Sequence, residues 1–416
     1  MIRAPFRKEN MSIKQRLLAG SALTAIALLA AGCASDGAAE PAASEPASSS
    51  TSAATAADVA PGSRVAVSLE GEVAVLDAAT LQIIETFPTE DFTRVNAVGD
   101  GRNVFVTTSE GFQVLDTAEP ALTDTLFPAD AAGHVVRHAG KTVLFSDGWG
   151  ETTILDTDAL IESNGALPEI QQYEAPDAHH GVSIVLSDGT LVTSVGTTDS
   201  RSGAIALEPH DDHYHELTSS NECPAIHGEG TAAGEVAIFG CENGALMFKD
   251  GEFIKLSAPD EFGRMGNAYV SEESPIAIGD YKNDPDYEGY LLNNIAVIDT
   301  EAETYDVVNL GDVEFTWRGA GRGPDGLFYM LATDGSIHEF DPATSEFTGE
   351  VFPVIGEWEG PDDWQTPHPG MITVGDIAYV VDVENQRLVS VDLTTGEIIT
   401  EGEELSSFPN EVAVNL

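Results

Sequence analysis

Short apolar runs that end in an acidic residue and a turn recur along most of the chain. VAVLDAAT, FQVLDTAE, IAVIDTEAE and LVSVDLTTGE are four of these runs. Their length, their punctuation by Gly and Asp, and the near absence of helical periodicity predict short antiparallel strands. The acidic residue stands at eight positions: Asp77, Asp116, Asp156, Glu208, Asp250, Asp299, Asp341 and Asp392.

The spacing of these acids predicts a repeated structural unit. Neighbouring acids are 39 to 52 residues apart, and a further strand-like run such as GRNVFVTT or GKTVLFSD precedes most of them. Four strands in a unit of about 40–50 residues are typical of a β-propeller blade. We therefore predict an all-β fold, a β-propeller of eight four-stranded blades. Seven blades are the alternative, because a weak unit is easily miscounted.

The two ends of the repeat region predict how the ring closes. The C-terminal segment FPNEVAVNL resembles FTRVNAVGD at residues 92–100, a first-strand segment. The N-terminal unit starts at SRVAVSLEG without a first strand of its own. We expect the C-terminal strand to complete the first blade, which removes the open edge that the ring would otherwise leave.

Histidines recur at one position of the repeat. In a propeller the first strand of each blade lines the central channel, and the units can be aligned on their second strands. The equivalent first-strand positions are Arg94 or Val95, His134, His180, His227, Asn267, Arg318, His368 and Asn410. Four of the eight are histidines, in a chain that contains ten.

This alignment predicts a metal site, because neutral imidazole is a common zinc ligand. His134, His180 and His227 belong to consecutive blades, so we expect them to converge. His368 lies across the channel as a further or separate ligand, and Asp177 is a candidate acidic ligand or orienting partner. The alternative is that these histidines bond only to one another and to water. Imidazole also binds copper and nickel, so the metal stays open.

A second group of histidines lies in EPHDDHYHELTSSNECPAIHGEG, residues 208–230. His210, His213 and His215 stand among acidic residues and match no fixed structural zinc motif, so they suit loose, exchangeable metal binding. Because the segment leads directly into His227, we expect it to lie near the channel site. A solvated surface insertion is the alternative.

Two cysteines, Cys223 and Cys241, follow Cys33 in the chain. In an exported protein an isolated pair of cysteines most often forms a disulfide. The alternative is a pair of zinc thiolates.

The N-terminal residues resemble an export signal. Residues 1–33 combine a basic start, the apolar run LLAGSALTAIALLAAG and a small-residue end at Cys33. LAAGC resembles a lipobox, with Ala30 where Leu is usual, so we expect Cys33 to be lipidated; an ordinary cleaved signal is the alternative. Residues 34–60 predict a flexible Ala/Ser/Pro linker, followed by the propeller domain at 61–416. We expect an extracytoplasmic lipoprotein, anchored to a membrane in the periplasm or at the cell surface.

The charge of the chain excludes one class of partner. It has 18 Lys and Arg against 70 Asp and Glu, a formal net charge of −52. Residues 1–33 hold 5 of the basic and 1 of the acidic residues, so 13 and 69 remain, a net of −56. This charge excludes nucleic-acid binding and concentrates cations nearby. Salt adaptation explains the same composition, so the charge only supports metal handling.

The run ALEPHDDHYHELTSSNECPAIHGEG, followed by GEVAIFGCENG and TPHPG, resembles the AztD family over roughly residues 61–416. This family comprises extracytoplasmic zinc chaperones of bacterial zinc-uptake clusters. The resemblance implies a monomeric, non-catalytic β-propeller that binds Zn²⁺ and passes it to the solute-binding protein of an ABC zinc importer. It implies that the four channel histidines bind tightly and that the histidines of residues 208–230 help to capture or release the metal. The chain departs from the family in its lipid anchor and long linker.

Two other function classes remain open. A metal-dependent enzyme of the lyase or hydrolase type could use a channel histidine with Glu222 or Glu229 as an acid–base pair. The sequence contains neither GxSxG nor CxxCH, the signatures of a nucleophile elbow and of haem attachment. A protein-interaction platform suits a propeller equally well, since fold does not determine function, but it leaves the histidine alignment unexplained.

Overall fold

The computed structural model describes residues 59–60, 62–210 and 213–415. The predicted signal at 1–33, the lipidation site Cys33 and nearly all of the linker at 34–60 lie outside these residues. The described part contains 33 strands and one short helix, α1 (Ala159–Glu162). Within these ranges, no helix combines the length and the hydrophobicity that crossing a bilayer would need.

The strands form eight antiparallel sheets, one for each blade. Blade 1 holds β1 (Arg64–Leu69), β2 (Glu72–Asp77) and β3 (Ile83–Pro88). Blade 2 holds β4 (Val95–Ala97), β5 (Asn103–Thr108), β6 (Gly111–Asp116) and β7 (Ala121–Pro128). Blade 3 holds β8 (Ala132–His138), β9 (Lys141–Ser146), β10 (Glu151–Asp156) and β11 (Gln171–Glu174). Blade 4 holds β12 (Ser183–Val185), β13 (Leu191–Gly196), β14 (Arg201–His210) and β15 (His213–Ser220).

The second half of the chain continues the same order. Blade 5 holds β16 (His227–Ala232), β17 (Val236–Cys241), β18 (Asn243–Lys249) and β19 (Glu252–Ser257), with β20 (Gly263–Arg264) pairing β18 in parallel. Blade 6 holds β21 (Ala268–Tyr269), β22 (Ile276–Asp280), β23 (Asn294–Asp299) and β24 (Thr304–Asn309). Blade 7 holds β25 (Phe315–Arg322), β26 (Phe328–Ala332), β27 (Ser336–Asp341) and β28 (Glu346–Pro353). Blade 8 holds β29 (Met371–Val374), β30 (Ile377–Asp382), β31 (Arg387–Asp392) and β32 (Ile398–Glu401).

The last strand, β33 (Val412–Asn415), closes the ring. It pairs antiparallel with β1 and supplies the innermost, first strand of blade 1, so that β1, β2 and β3 are the second, third and fourth strands of that blade. Asn415 Nδ2 also reaches blade 2, where it donates to Asn103 O at 3.3 Å and to Thr117 Oγ1 at 3.1 Å. The prediction of eight blades closed by the C-terminal strand is confirmed.

The blades hold together through apolar contacts between their flat faces. One hydrophobic cluster lies at each of the eight junctions, for example Val67 and Leu76 of blade 1 with Tyr379 of blade 8. Because both faces of a blade are covered, strands such as β2 are buried at consecutive residues, as a continuous apolar run predicts. The outermost strands, such as β28, are largely exposed.

The recurrent acid of the sequence forms the turn between the third and fourth strands of a blade. Asp77 Oδ1 accepts hydrogen bonds from the backbone N–H groups of Ala79 at 3.2 Å and Thr80 at 3.0 Å. Asp116, Asp299, Asp341 and Asp392 make the same kind of bond. A carboxylate that accepts from the residues just after it stabilises a tight turn, which explains why the acid recurs.

Strand direction alternates within a blade and so defines two faces of the ring. The front face is where the innermost strands begin, at residues 134, 180 and 227. The back face carries the turns between third and fourth strands, such as residues 78–82 of blade 1. The disulfide between Cys223 and Cys241 lies on the front side of blade 5 and fastens the segment before β16 to the end of β17.

Candidate metal centre

A cavity of about 920 Å³ occupies the front end of the central channel. Seven of the eight aligned first-strand positions line it: Arg94 with Val95, His134, His180, His227, Asn267, Arg318 and Asn410. The eighth, His368, lines a neighbouring cavity of about 450 Å³. The alignment of the repeat therefore identified the residues of one common cavity, with one exception.

Three imidazoles meet on one wall of this cavity. The ring centroids of His134, His180 and His227 lie 5.3, 4.9 and 5.1 Å apart. One ring nitrogen from each lies within 4.8 Å of the other two. Tetrahedral zinc with Zn–N bonds of 2.0–2.1 Å requires a separation of about 3.3 Å between ligands. Small side-chain rotations would bring the three nitrogens to that distance. We call these three residues the triad.

Carboxylates orient two of the triad rings. His134 Nδ1 lies 3.1 Å from Glu229 Oε1, and His180 Nδ1 lies 2.5 Å from Asp147 Oδ2. A carboxylate only accepts, so each Nδ1 carries a proton, and in a neutral ring the Nε2 then offers its lone pair. Acceptors of this kind behind metal-ligating histidines fix the tautomer and the ring orientation.

A backbone carbonyl orients the third ring. His227 Nδ1 donates to Gly266 O at 2.5 Å. The pairing of β16 with β17 shifts register between His227 and Glu229, which makes Gly228 a bulge residue with φ +61°. A Cβ at Gly228 would lie 2.4 Å from Gly266 O, so a side chain there would displace the carbonyl that holds the imidazole. Bulges next to functional sites commonly redirect side chains in this way.

A second glycine makes room for the carboxylate behind His180. The pairing of β8 with β9 shifts register between Ala132 and Val135, at the point where the chain carries Gly133 and His134. A Cβ at Gly133 would lie 2.5 Å from Asp147 Oδ1. The residue before His134 must therefore be small for Asp147 to reach His180.

The environment keeps the third imidazole neutral. Burial lowers the pKa of His227 well below its ordinary value, and the neighbouring His134 lowers it further, while the bond to Gly266 acts in the opposite direction. A neutral imidazole is the form that binds a metal ion.

The disulfide predicted from the cysteine count is present. Cys223 and Cys241 are bonded, fully buried and separated by 18 residues. The bond excludes the alternative of two zinc thiolates at these positions. Cys223 lies four residues before His227, so the cross-link restrains the segment that enters β16.

The histidines of residues 208–230 do not join the triad. His210 ends β14 and pairs with His213 at the start of β15, and the two rings stack at 5.3 Å. The ring of His215 lies 6.2 Å from that of His210. β14 starts at Arg201 on the front side, and its ten residues span roughly 30 Å towards the back face. The prediction that this stretch lies near the channel site is therefore wrong, because β15 must carry the chain back across the blade before it reaches His227.

His368 and Asp177 also lie apart from the triad. His368 is 3% exposed, and its Nδ1 donates to Thr366 O at 2.7 Å. Asp177 is exposed, and its backbone oxygen, rather than its carboxylate, contacts His179 Nδ1 at 2.9 Å. The orienting function predicted for Asp177 is carried out by Asp147 and Glu229.

The sequence carries a signal for Asp147 in the position of this acid at the end of a second strand. Asp147 follows β9, the second strand of blade 3, and this strand ends at the front face. In blade 6, Asp280 ends the equivalent strand and accepts from Gly266 N at 2.5 Å and Asn267 N at 2.8 Å. An acid at the end of a second strand can therefore reach the front end of a first strand.

Comparison with known proteins shows what this fold is similar to. No family model matches the chain. Two solved structures of AztD from Citrobacter koseri, one of them the apo form, superpose with TM-scores of 0.69 and 0.68 at 19% and 18% identity. Each comparison covers 85% of this chain and 96% of the other. The dihydro-heme d1 dehydrogenase NirN in complex with DHE superposes with a TM-score of 0.59 at 13% identity, covering 84% of this chain and 74% of the other. The chain therefore has the β-propeller fold seen in AztD.

Proposed function

We propose that the chain is a zinc metallochaperone that binds Zn²⁺ at His134, His180 and His227. The observation that carries this proposal is the arrangement of acceptors behind the triad. Each Nδ1 bonds to an oxygen of Glu229, Asp147 or Gly266, so each Nε2 is available for a metal. Channel histidines that served only to bond to water would not need this orientation.

The geometry suits a carrier. Three protein ligands leave the fourth position of a tetrahedral zinc ion open. An incoming ligand from a partner protein can attack at that position, so the ion can leave without full dissociation into water. We infer that the partner is the solute-binding protein of an ABC zinc importer, as the sequence resemblance implies, and that the chain catalyses no reaction. The same resemblance favours zinc over copper and nickel.

The proposed location is extracytoplasmic. The buried disulfide between Cys223 and Cys241 supports it, since such bonds persist in oxidising compartments. We further propose that residues 1–33 are a lipoprotein signal, that Cys33 carries the lipid and that residues 34–60 tether the monomeric propeller, residues 61–416, to the membrane. This tether would keep the carrier close to an importer in the same membrane.

The three histidines at the tip between β14 and β15 form a separate and weaker site in this proposal. His210, His213 and His215 are exposed and lie at the back face. They would capture Zn²⁺ loosely from the surroundings. Transfer from this tip to the triad of the same molecule would need release into solution, since the blade lies between them.

Zinc retention tests the proposal. The purified chain is loaded with Zn²⁺, dialysed against a weak chelator and analysed for metal content. The account predicts about one retained ion, its loss in the His134→Ala/His180→Ala/His227→Ala variant, and its retention in the matched His210→Ala/His213→Ala/His215→Ala variant. Full retention by the first variant would reject the site.

Transfer tests the second half of the proposal. The zinc-loaded chain is mixed with the metal-free solute-binding protein of a zinc importer, and the two are separated and analysed. Zinc should appear on the acceptor faster than a chelator of equal affinity removes it from the chain. Equal rates of zinc transfer to the acceptor and to the chelator would show passive release and would contradict a chaperone function. Metal-dependent turnover of a substrate would favour the enzyme alternative.

A further inference from the structure

The cavity that holds the triad is lined by several basic residues. Over the whole chain, acidic residues outnumber basic ones by 70 to 18. Four basic residues line this one cavity: Arg94, Arg264, Lys282 and Arg318. Four acidic residues line it as well: Glu229, Asp280, Glu288 and Glu411. The charges are balanced here, whereas elsewhere the protein is strongly negative.

Two of these acids already pair with other side chains of the cavity. Glu411 is shared between two guanidinium groups, with Arg94 Nε at 2.9 Å and Arg318 Nη2 at 3.1 Å. Glu229 accepts from the imidazole of His134. One carboxylate between two guanidiniums leaves one positive charge without a counter-ion on that wall.

A third acid is enclosed by amide groups. The carboxylate of Asp280 accepts from the backbone of Gly266 and Asn267 and from Asn267 Nδ2 at 2.7 Å. It is 7% exposed. This carboxylate supports the loop that carries Gly266. Burial raises the pKa of Asp280, whereas its bonds to Asn267 and Gly266 and the positive charge of Arg264 lower it.

Arg264 and Lys282 are the two cations of the cavity that have no ion pair with a carboxylate among the described residues. Their backbones bond to each other, Arg264 N to Lys282 O at 2.8 Å and Lys282 N to Arg264 O at 3.0 Å. Residues paired directly across antiparallel strands place their side chains next to each other. Lys282 Nζ donates to Tyr287 O and lies 5.1 Å from the Tyr287 ring centroid, so its nearest partners carry no full charge.

These two cations line the same cavity as the triad, where burial and, to a smaller extent, the positive charge of Arg264 lower the pKa of His227. Arg264 is two residues from Gly266, whose carbonyl holds His227. Arg201, which is partly buried, has its pKa lowered by burial and then by the positive charge of Arg264, and its Nη1 has no hydrogen-bond partner. Arg264 and Lys282 therefore line the cavity in which a dication is proposed to bind. These cations would oppose the attraction that the two carboxylates behind the triad rings exert on a Zn²⁺ ion at the triad.

We propose that Arg264 and Lys282 hold a small organic carboxylate that occupies the fourth coordination position of the metal at the triad. This inference rests on the proposed function and specifies its cargo as a zinc–carboxylate complex. A carboxylate can bind the metal through one oxygen and pair with a guanidinium through the other. The cavity of about 920 Å³ has room for such a ligand, since one water occupies only about 30 Å³.

Cobalt and succinate are the probes for this proposal. Co²⁺ adopts zinc geometries and has visible absorption bands that respond to a change of ligand, and succinate chelates Co²⁺ only weakly. Titrating the Co²⁺-loaded chain with succinate should give a saturable change in these bands. Arg264→Gln and Lys282→Gln should each weaken the succinate response at least tenfold while Co²⁺ stays bound. Arg102→Gln is the charge-matched control, because Arg102 pairs with Asp116 outside the cavity.

A spectrum that does not respond to succinate, or a response that survives Arg264→Gln, would overturn the proposal and leave water as the fourth ligand. Calorimetric titration of the metal-free chain with succinate measures carboxylate binding without the metal. It therefore distinguishes failure of the carboxylate proposal from failure of the proposed metal-binding function. The variant that lacks the three triad histidines should lose Co²⁺ and still bind succinate. If that variant kept its Co²⁺, the metal site would be wrongly assigned. The change in succinate binding caused by Arg264→Gln would still test the carboxylate site.

Discussion

The triad and the tip between β14 and β15 each contain three histidines, yet among the described residues the triad alone brings its ring nitrogens together in an arrangement that could hold a metal ion. The triad rings are held by Glu229 on β16, by Asp147 just after β9 and by Gly266 in the loop before β21. At the tip, by contrast, His210 contacts Glu208 at 3.4 Å on an exposed outer hairpin. In the proposed account, the fixed orientation of each ring, and not the number of histidines, defines the tight site.

The two regions also differ in how much side-chain conformational entropy they would lose when a metal ion binds. Rings that are oriented before the metal arrives lose little freedom on binding, whereas an exposed hairpin must order its side chains first. Their placement on opposite faces keeps these two kinds of site independent within one molecule. Single substitutions in one region should therefore leave the other unchanged.

The largest expected difference is between ligand substitutions in the two regions. His227→Ala should weaken tight zinc binding by about 3 kcal/mol, or roughly 100-fold, because the free energy of a zinc site is shared among a few ligands. His213→Ala is the matched change at the tip and should leave the tight affinity within a factor of about three. Competition with a chromophoric chelator measures both. An equal loss in the two variants would remove the distinction between the regions.

Removing an orienting carboxylate should have the next largest effect. Asp147→Ala frees the His180 ring, and the loss of such a partner typically costs about 10–100-fold in metal affinity. Glu208→Ala removes the carboxylate near His210 and serves as the control at the tip. The same chelator competition applies. An unchanged affinity in Asp147→Ala would show that the rings do not depend on their acceptors.

A smaller effect is expected from the bulge glycine. Gly228→Ala would push against Gly266 O and should lower zinc affinity by about tenfold, as expected for a disturbed orienting group. Gly71→Ala is a suitable control, because Gly71 also has a positive φ, of +77°, but no atom near its Cβ. Both variants should lose about 1 kcal/mol of stability from backbone strain. Only Gly228→Ala should lose zinc, and a loss in both would attribute the effect to strain alone.

The smallest expected effect concerns His368, which belongs to neither region. Burial lowers its pKa to about 4, against 6.5 for an ordinary histidine. As the pH falls below 7 the unfolded chain takes up this proton while the folded chain does not. The free energy of unfolding should therefore decrease, by about 0.7 kcal/mol between pH 7 and pH 6, and the loss should continue until about pH 4.

Urea unfolding at several pH values, in the wild type and in His368→Asn, measures this contribution. The pH dependence should be weaker in the variant by the stated amount. Leu167→Ala, a change at an exposed residue without a titratable group, is the control and should retain the wild-type slope. Identical pH dependence of the unfolding free energy in the wild type and in His368→Asn would contradict the assignment of this contribution to His368.

The fold could be predicted from the sequence because its signal is repeated. In five blades an acid that ends the third strand forms a local turn, as at Asp77 and Asp116, so it marks the blades without knowledge of tertiary contacts. Aligning the blades then placed His134, His180 and His227 on one wall. Their convergence follows from symmetry, since equivalent positions of consecutive blades meet at the channel.

The rest of the site depends on contacts between blades that no local pattern encodes. Glu229 of blade 5 reaches His134 of blade 3, across 95 residues of sequence. His368 stands at an equivalent sequence position but turns into a separate cavity. The placement of the histidine tip was predictable in principle, because strand direction alternates and the end of a third strand lies opposite the start of a first strand. Proximity in sequence to His227 suggested the wrong face.

Anomalous diffraction at the zinc edge, from crystals of the chain grown with one equivalent of Zn²⁺, tests the central claim most directly. The account predicts one strong peak bonded to the Nε2 atoms of His134, His180 and His227, at about 2.0–2.1 Å from each. A strong peak at His210, His213 and His215 or at His368, with the triad empty, would contradict it.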